Sequence, residues 1–324
     1  MAIKRNSDKK TIKIQIKQSL LILGITILLV IGGMSIYSAI SSNNKNEQAL
    51  AQDGGKEKGN GEKSNLSSGV EENVDLDNSG YLLLEQDSNA DDAKIVANRT
   101  QGIMKGELHY PVRDDGKKVV YLTFDDGPST TNTPNVLNIL DKYNIKGTFF
   151  VMGKSITSNP EVTKKILKRI ASNGHAIANH SYSHDYRYLY PNRVINPNNF
   201  MEEYNKTNDL LKEYLGKDFS TRVVRFPGGY WSWNGRENIR PILDEKGIEI
   251  VDWNALNGDA ANGGHKSKAQ LLAETKDSVE KLGNKADSIV FLMHDTYQKE
   301  TTVEALPEII EYFKSKGYEF RTMK

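Results

Sequence analysis

The amino-acid sequence predicts an α/β fold in which parallel strands and helices alternate. After Tyr110, short runs of β-branched and aromatic residues alternate with longer amphipathic stretches. About seven strand–helix units follow one another, and the sequence shows no repeat of fixed period. Right-handed crossovers join such units, so a distorted (β/α) barrel closed on itself is favoured over an open sheet.

The composition excludes several kinds of chemistry. The 324 residues carry 43 Lys and Arg against 42 Asp and Glu, so the net charge of +1 predicts no nucleic-acid partner. The chain has no cysteine, which excludes disulfides, thiolate metal sites and cysteine nucleophiles. Any metal must therefore be bound by histidine and carboxylate side chains.

The N-terminal 40 residues have the pattern of a membrane anchor. Residues 1–18 are basic, and residues 19–40 carry no charge. A span of about 20 apolar residues matches the bilayer core, and the basic flank stays in the cytoplasm. We expect a single-pass signal anchor at the cell membrane, with the remaining chain extracellular. A cleaved signal peptide is the alternative, for which Tyr37-Ser38-Ala39 is a poor cleavage site.

Two segments separate the anchor from the strand–helix units. Residues 41–80 are rich in Asn, Gly, Lys, Glu, Ser and Asp and predict a flexible tether. Residues 81–108 are a lead-in segment whose role the sequence leaves open, with a possible helix at 91–104. Residues 109–324 hold the strand–helix units, and we expect that domain to be monomeric.

Within residues 109–324 the patterns predict strands and helices in alternation. The predicted strands are Val119–Phe124, Gly147–Val151, Ala176–Asn179, Val223–Phe226, Ile248–Trp253, Ser288–Met293 and Tyr318–Arg321. The predicted helices are Thr133–Tyr143, Pro160–Asn173, Pro197–Leu215, Glu237–Lys246, Lys268–Leu282 and Thr302–Lys316.

Two adjacent carboxylates, Asp125 and Asp126, follow the first of these strands and precede a Gly-Pro turn. Neighbouring strand residues point to opposite faces, so the two acids can serve different tasks. One can bind a metal while the other moves a proton. A solvated acidic turn is the alternative interpretation.

Polar residues at other strand ends extend this pattern. His180 and His184 follow the third strand, Arg225 ends the fourth, and Asp259 and His294 follow later strands. The carboxyl ends of parallel strands share one face, where active sites are built. The i, i+4 spacing of the two histidines predicts that both lie on one side of a helical turn. With one carboxylate they form a two-histidine, one-carboxylate site, unless they are capping or surface residues. His294 is placed to protonate a leaving amine.

These motifs resemble, in order, those of the polysaccharide deacetylases, the NodB-homology enzymes of carbohydrate esterase family 4. The residues that carry the resemblance are Thr123-Phe-Asp-Asp-Gly-Pro128, His180-Ser-Tyr-Ser-His184, Arg225-Phe-Pro-Gly-Gly229, Asp259 and Leu292-Met-His294. The resemblance implies a distorted (β/α) barrel that binds one divalent metal ion and removes N-acetyl groups from amino sugars.

The resemblance also implies a role for each motif residue. Asp126, His180 and His184 would bind the metal, with Zn²⁺ first among the candidates and Co²⁺, Mn²⁺ or Ni²⁺ as alternatives. Asp125 would be the general base, held in place by Arg225, and Asp259 would orient His294, the general acid. Leu292 would line the pocket for the acetyl methyl group. The amide of Gly228 would be a candidate oxyanion donor.

The sequence departs from the family pattern at two positions. Gly228 stands where an aromatic residue is usual, and Ala260 follows Asp259 where Trp is common. Tyr230, Trp231 and Trp233 are candidates to stack on sugars instead, with an ordinary core role as the alternative.

The anchor and tether make cell-wall peptidoglycan the expected substrate. Poly-N-acetylglucosamine and chitin oligomers are the alternative substrates, and acetylated xylan is a more distant one. A non-catalytic wall-binding module is the alternative from another functional class, but every catalytic position is present.

Overall fold

The computed structural model describes residues 80–261 and 265–324. The predicted basic tail, the predicted anchor and all but the last residue of the predicted tether therefore lie outside the described residues. Within the described residues, no helix combines the length and the apolarity that a membrane span requires.

Strands and helices alternate along much of the described chain, as the sequence predicts. The exceptions include two short strands, Glu249–Ile250 and Ala255–Leu256, where the sequence predicts the single strand Ile248–Trp253. The strands are β1 (Ala90–Asp91), β2 (Val119–Asp125), β3 (Thr148–Val151), β4 (Ala176–Asn179), β5 (Val223–Val224), β6 (Glu249–Ile250), β7 (Ala255–Leu256), β8 (Ser288–His294), β9 (Glu319–Phe320) and β10 (Thr322–Met323). The α-helices are α1 (Ala93–Met104), α2 (Asn132–Tyr143), α3 (Gly153–Ser158), α4 (Pro160–Ser172), α5 (Tyr186–Leu189), α6 (Pro197–Leu215), α7 (Arg236–Glu245), α8 (Lys268–Lys281) and α9 (Glu300–Ser315).

Strands β2 to β9 form a curled parallel sheet in which β2 is an interior strand. The order of the strands is β6-β5-β4-β3-β2-β8-β7, and β9 also pairs with the beginning of β2. Each of the seven residues of β2 has a partner in β8. Since β2 and β8 lie side by side in register, Asp125 is the neighbour of His294 at the same sheet edge.

The sequence prediction of a barrel closed on itself is wrong in one respect. Among the described residues, no backbone ladder joins β6 to β7, so the sheet is a curled half-barrel. The segment between these two strands crosses the gap: the N–H of Val251 bonds to β5, and that of Asn254 bonds to β8. The carbonyl of Val251 accepts from the Nε of Arg225 at 2.9 Å. At this point the donor to the carbonyl of Val251 is the side chain of Arg225 and not a backbone N–H group.

The alternation of side chains along β2 separates two parts of the core. Val120, Leu122 and Phe124 point outward and pack with the helices. Val119 and Tyr121 point inward and pack with the other strands. Asp125 continues the inward series, so its carboxylate lies inside the curled sheet at the carboxyl end of the strand.

The lead-in segment closes the opposite end of the sheet. β1 pairs with β10, and the buried residues of α1 pack against the inward side chains of the sheet. Asp91 forms ion pairs with Arg113 at 2.6 Å and with Arg321, and Tyr121 donates to the same carboxylate at 2.5 Å. These contacts give residues 81–108 a structural role that the sequence left open.

Candidate active site

Asp126, His180 and His184 form a cluster that can bind a metal ion. One Asp126 oxygen, Oδ1, lies 3.3 Å from Nε2 of His180 and 3.5 Å from Nε2 of His184. This oxygen is buried and has no hydrogen-bond partner among the described residues. The Nδ1 of His180 donates to the carbonyl of Arg225 at 2.8 Å, which leaves Nε2 free as a ligand. Two imidazole nitrogens and one orphaned carboxylate oxygen fit a divalent metal such as zinc.

The backbone brings the two histidines together without a helical turn. Ser181 and His184 both have left-handed conformations, with φ of 65° and 58°. The sequence prediction of a helical turn is therefore wrong, although the two rings do meet, with centroids 5.1 Å apart. Left-handed φ angles at residues other than glycine are unfavourable unless their surroundings hold them.

Glu203 on α6 holds this loop. Its buried carboxylate accepts from the backbone N–H of Tyr182 at 3.2 Å and from that of Ser183 at 3.0 Å. The Ser183 hydroxyl donates to the same carboxylate. Thr207, one turn further along α6, donates to the carbonyl of Ser181 at 2.9 Å. The loop that carries the two histidines is therefore fixed by a neighbouring helix.

Asp126 reaches the cluster because it leaves the strand. Its φ of 70° ends the alternation of β2, so Asp125 and Asp126 both point into the same site. Burial alone would raise the pKa of Asp126, but His184, His180 and His294 outweigh burial and hold that pKa well below its usual range. The carboxylate is thus in the ionised form that a metal ligand requires.

Asp125 lies beside this cluster and is paired with Arg225. Its Oδ1 accepts from Nη1 of Arg225 at 2.8 Å, and both side chains are almost fully buried. Nη1 also donates to the hydroxyl of Thr123 at 2.8 Å. The guanidinium lies 3.9 Å from the centroid of the Phe150 ring. Four contacts, including the bond to Val251, therefore fix the cation that orients Asp125.

His294 faces the cluster from β8 and is bonded to Asp259. Its Nδ1 lies 2.8 Å from Oδ1 of Asp259, and its Nε2 lies 3.9 Å from Oδ2 of Asp126. The other Asp259 oxygen accepts from the backbone N–H of His294 at 2.9 Å and from the hydroxyl of Thr302 at 2.8 Å. Burial lowers the pKa of His294, but the charge and hydrogen bond of Asp259 outweigh burial and raise it to about 9. At neutral pH the imidazole is therefore protonated and can donate a proton.

The remaining predicted site residues have different surroundings. Leu292 lies two residues before His294 on β8 and is 8% exposed. Gly228 has a φ of 76°, a conformation that L side chains rarely adopt. Tyr230 is 5% exposed, packs edge-to-face on Phe226, and donates its hydroxyl to the carbonyl of Arg236 at 3.2 Å. Its ring therefore belongs to the aromatic core.

Three residues that support the site were not assigned a role from the sequence. Thr123 contacts Arg225, Thr302 contacts Asp259, and Glu203 holds the histidine loop. Glu203 has a detectable signal, because it lies three residues after Phe200 on the buried face of α6. An acid on an apolar stripe indicates a buried partner.

A family model described as polysaccharide deacetylase matches residues 112–251. A peptidoglycan-N-acetylglucosamine deacetylase of Bacillus cereus is 32% identical over 215 residues, which cover 64% of this chain and 67% of that protein. A second protein of the same name from this species is 31% identical over 217 residues, covering 64% and 88%. A Listeria monocytogenes protein of that name is 31% identical over 211 residues, covering 64% of this chain and 38% of the relative.

Two solved structures share the fold. A Streptococcus mutans CE4 esterase is 37% identical, with a TM-score of 0.64 over 73% of this chain and 92% of that one. The catalytic domain of a peptidoglycan N-acetylglucosamine deacetylase from Eubacterium rectale is 30% identical, with a TM-score of 0.55 over 66% and 91%. The similarity extends over most of the described residues.

Proposed function

The chain belongs to the polysaccharide deacetylase family, whose members are hydrolases of carbon–nitrogen bonds, and from this premise we propose that it removes N-acetyl groups from N-acetylglucosamine residues of an extracellular polysaccharide. One observation carries the proposal. A carboxylate held by Arg225 and an imidazolium held by Asp259 flank a metal-binding cluster from two neighbouring strands. Such an arrangement places a base and an acid on either side of one bond.

Asp126, His180 and His184 would bind the metal ion. We propose Zn²⁺, since two imidazoles and one carboxylate are typical of its catalytic sites, with Co²⁺, Mn²⁺ and Ni²⁺ as alternatives. When bound, such an ion supplies Lewis-acid polarisation of water and of the acetyl carbonyl group.

The acid and the base perform the two proton transfers of the hydrolysis. Asp125 removes a proton from the attacking water, and Arg225 keeps its carboxylate directed into the site. The new carbon–oxygen bond converts the amide carbon to a tetrahedral centre. His294 donates the proton on Nε2 to the amide nitrogen as the carbon–nitrogen bond breaks, so acetate and a free amine are released. Asp259 supports this step because its carboxylate stabilises the imidazolium.

Peptidoglycan is the proposed substrate because the relatives from Bacillus cereus, Listeria monocytogenes and Eubacterium rectale are named as peptidoglycan deacetylases. Acetylated xylan is a second candidate, since a bifunctional xylanase/deacetylase of Pseudobutyrivibrio xylanivorans is 32% identical over 207 residues. Poly-N-acetylglucosamine and chitin oligomers present the same acetamido group and are the remaining candidates.

We also propose a location for the enzyme. Residues 19–40 carry no charge and follow a basic segment, so they would anchor the chain in the cell membrane with its N-terminus inside. Residues 41–80 would then let the domain reach the wall. Protease added to intact cells should remove the domain, whereas a domain that is digested only after lysis would contradict this location.

The test of the function compares acetate release from peptidoglycan, poly-N-acetylglucosamine and acetylxylan by the purified full-length protein. We expect release from peptidoglycan that is lost on chelation and is restored by Zn²⁺. Asp125→Asn should abolish release, whereas Asp244→Asn, which changes a largely exposed carboxylate, should not. A protein that binds glycan but releases no acetate from any of these polymers would refute the enzymatic proposal.

A further inference from the structure

Tyr186 lies two residues after His184 at the beginning of α5. Its ring centroid is 5.1 Å from that of His184 and 5.1 Å from that of Trp233. The residue is only partly buried. The phenol is thus held between the metal-binding cluster and the aromatic core.

The hydroxyl of Tyr186 makes no hydrogen bond to any described residue. Other tyrosine hydroxyls near the site do: Tyr188 donates to Glu202 at 2.7 Å, Tyr204 to the carbonyl of Thr221 at 2.9 Å, and Tyr230 to that of Arg236 at 3.2 Å. Tyr190 also has an unpaired hydroxyl, but it is 2% exposed and stacked on Trp233 at 4.1 Å. Tyr186 is therefore a free donor at an accessible position beside the site.

Gly228 fixes where this hydroxyl lies. A Cβ atom at Gly228 would be 3.1 Å from the hydroxyl oxygen of Tyr186 and 3.3 Å from its Cζ. The phenol thus occupies the space that a side chain at position 228 would take. The strand end that carries Gly228 also supplies Arg225, whose carbonyl orients His180. The hydroxyl consequently lies against the backbone of Gly228, and the ring that carries it lies beside His184.

On the premise of the proposed N-deacetylation, we infer that the Tyr186 hydroxyl donates a hydrogen bond to the acetyl carbonyl oxygen of the substrate as that oxygen gains negative charge. In this arrangement the acetyl group approaches Asp125 and the metal-binding cluster with its carbonyl oxygen directed towards this donor. A donor aimed at developing charge in a desolvated site stabilises the transition state more than the bound substrate. The phenol keeps its proton throughout.

The test compares Tyr186→Phe with Tyr190→Phe in the full-length protein, using N-acetylglucosamine oligomers and acetate release. Each change removes one unpaired hydroxyl and keeps the ring, so the packing of the aromatic core is matched. Tyr186→Phe should lower kcat roughly 10²-fold, the effect of losing one oxyanion donor, with KM nearly unchanged. Tyr190→Phe should keep the kcat of the unmodified protein. The zinc affinity of both variants, measured by equilibrium dialysis, should equal that of the unmodified protein.

Three results would overturn the inference while leaving the proposed function intact. The first is a kcat for Tyr186→Phe within twofold of that of the unmodified protein. The second is a raised KM with unchanged kcat for the same variant. The third is a loss of zinc affinity in this variant that accounts for its lost activity. If the unmodified protein itself releases no acetate from any N-acetylated polymer, the proposed function fails, and the inference is overturned with it.

Discussion

Asp259→Asn tests how the charge of one buried carboxylate controls the acid of the site. The substitution keeps the shape of the side chain and removes its charge. Two donors, the backbone N–H of His294 and the hydroxyl of Thr302, face Oδ2, so the amide oxygen of Asn should take that position. The amide NH₂ then faces Nδ1 of His294. An amide NH₂ group cannot accept a hydrogen bond from a protonated Nδ1, so the neutral imidazole is favoured over the imidazolium.

The structure indicates the size of this effect. The pKa of His294 is raised from 6.5 to about 9, against the opposing effect of burial, and Asp259 is the largest favourable contribution. A shift of this size is worth roughly 3 kcal/mol of preference for the protonated form. Losing the charge of Asp259 should lower the pKa of His294 by about 1–3 units. Since general acid catalysis contributes about 10²–10⁴-fold, we expect kcat at neutral pH to fall within that range.

The sign of the pH dependence follows from the raised pKa. In the unmodified protein, the stability that the protonated His294 contributes is complete below pH 6.5 and is lost as the pH rises through about 9. The alkaline limb of the rate profile should also lie near pH 9. In Asp259→Asn the limb should move to lower pH, and the stability loss between pH 6.5 and 9 should become smaller.

The assay is a pH profile of acetate release, combined with NMR titration of the His294 ring and denaturant unfolding at each pH. Thr302→Val is the matched control, because it removes one hydrogen bond to Asp259 and keeps the charge. Its kcat should fall far less than that of Asp259→Asn, because the charge that holds the proton on His294 is kept. An alkaline limb for Asp259→Asn that coincides with that of the unmodified protein would refute the reasoning.

Three further predictions concern the metal and the buried ions. Asp126→Ala removes the one carboxylate of the proposed metal site and should abolish zinc retention on gel filtration. A variant that keeps one zinc per chain would show that the ion lies elsewhere. Glu203→Gln weakens the support of the histidine loop and should lower zinc affinity roughly 10–100-fold. The affinity is measured by competition with a chelator, and an unchanged value would contradict this expectation. Arg225→Met leaves Asp125 buried without its guanidinium partner and should lower the free energy of unfolding by about 3–5 kcal/mol. Arg240→Met breaks a partly exposed pair and should cost less than about 1 kcal/mol, so equal losses in denaturant unfolding would refute the role of burial.

The sequence alone determined the alternation of strands and helices and the sheet edge where the site lies. β4 and α6 have the predicted bounds, because their apolar periodicities are local and uninterrupted. The polar residues at the strand ends were found for the same reason. Asp125 and His294 end β2 and β8, and Arg225 directly follows β5. Parallel strands place their carboxyl ends at one edge. These features depend on neighbouring residues in the chain, which the sequence displays.

Only the tertiary structure decided how the residues meet. Asp126 joins its neighbour in one site because its φ of 70° ends the strand alternation, and the histidine loop holds two more left-handed residues because Glu203 supports it. Arg225 is held by Thr123, Asp125 and the carbonyl of Val251, which come from two other segments of the chain. In each case the partner lies far away in the chain, or the backbone conformation is one that local preference disfavours. Tertiary contacts supply the free energy that holds such conformations, and no local pattern records them.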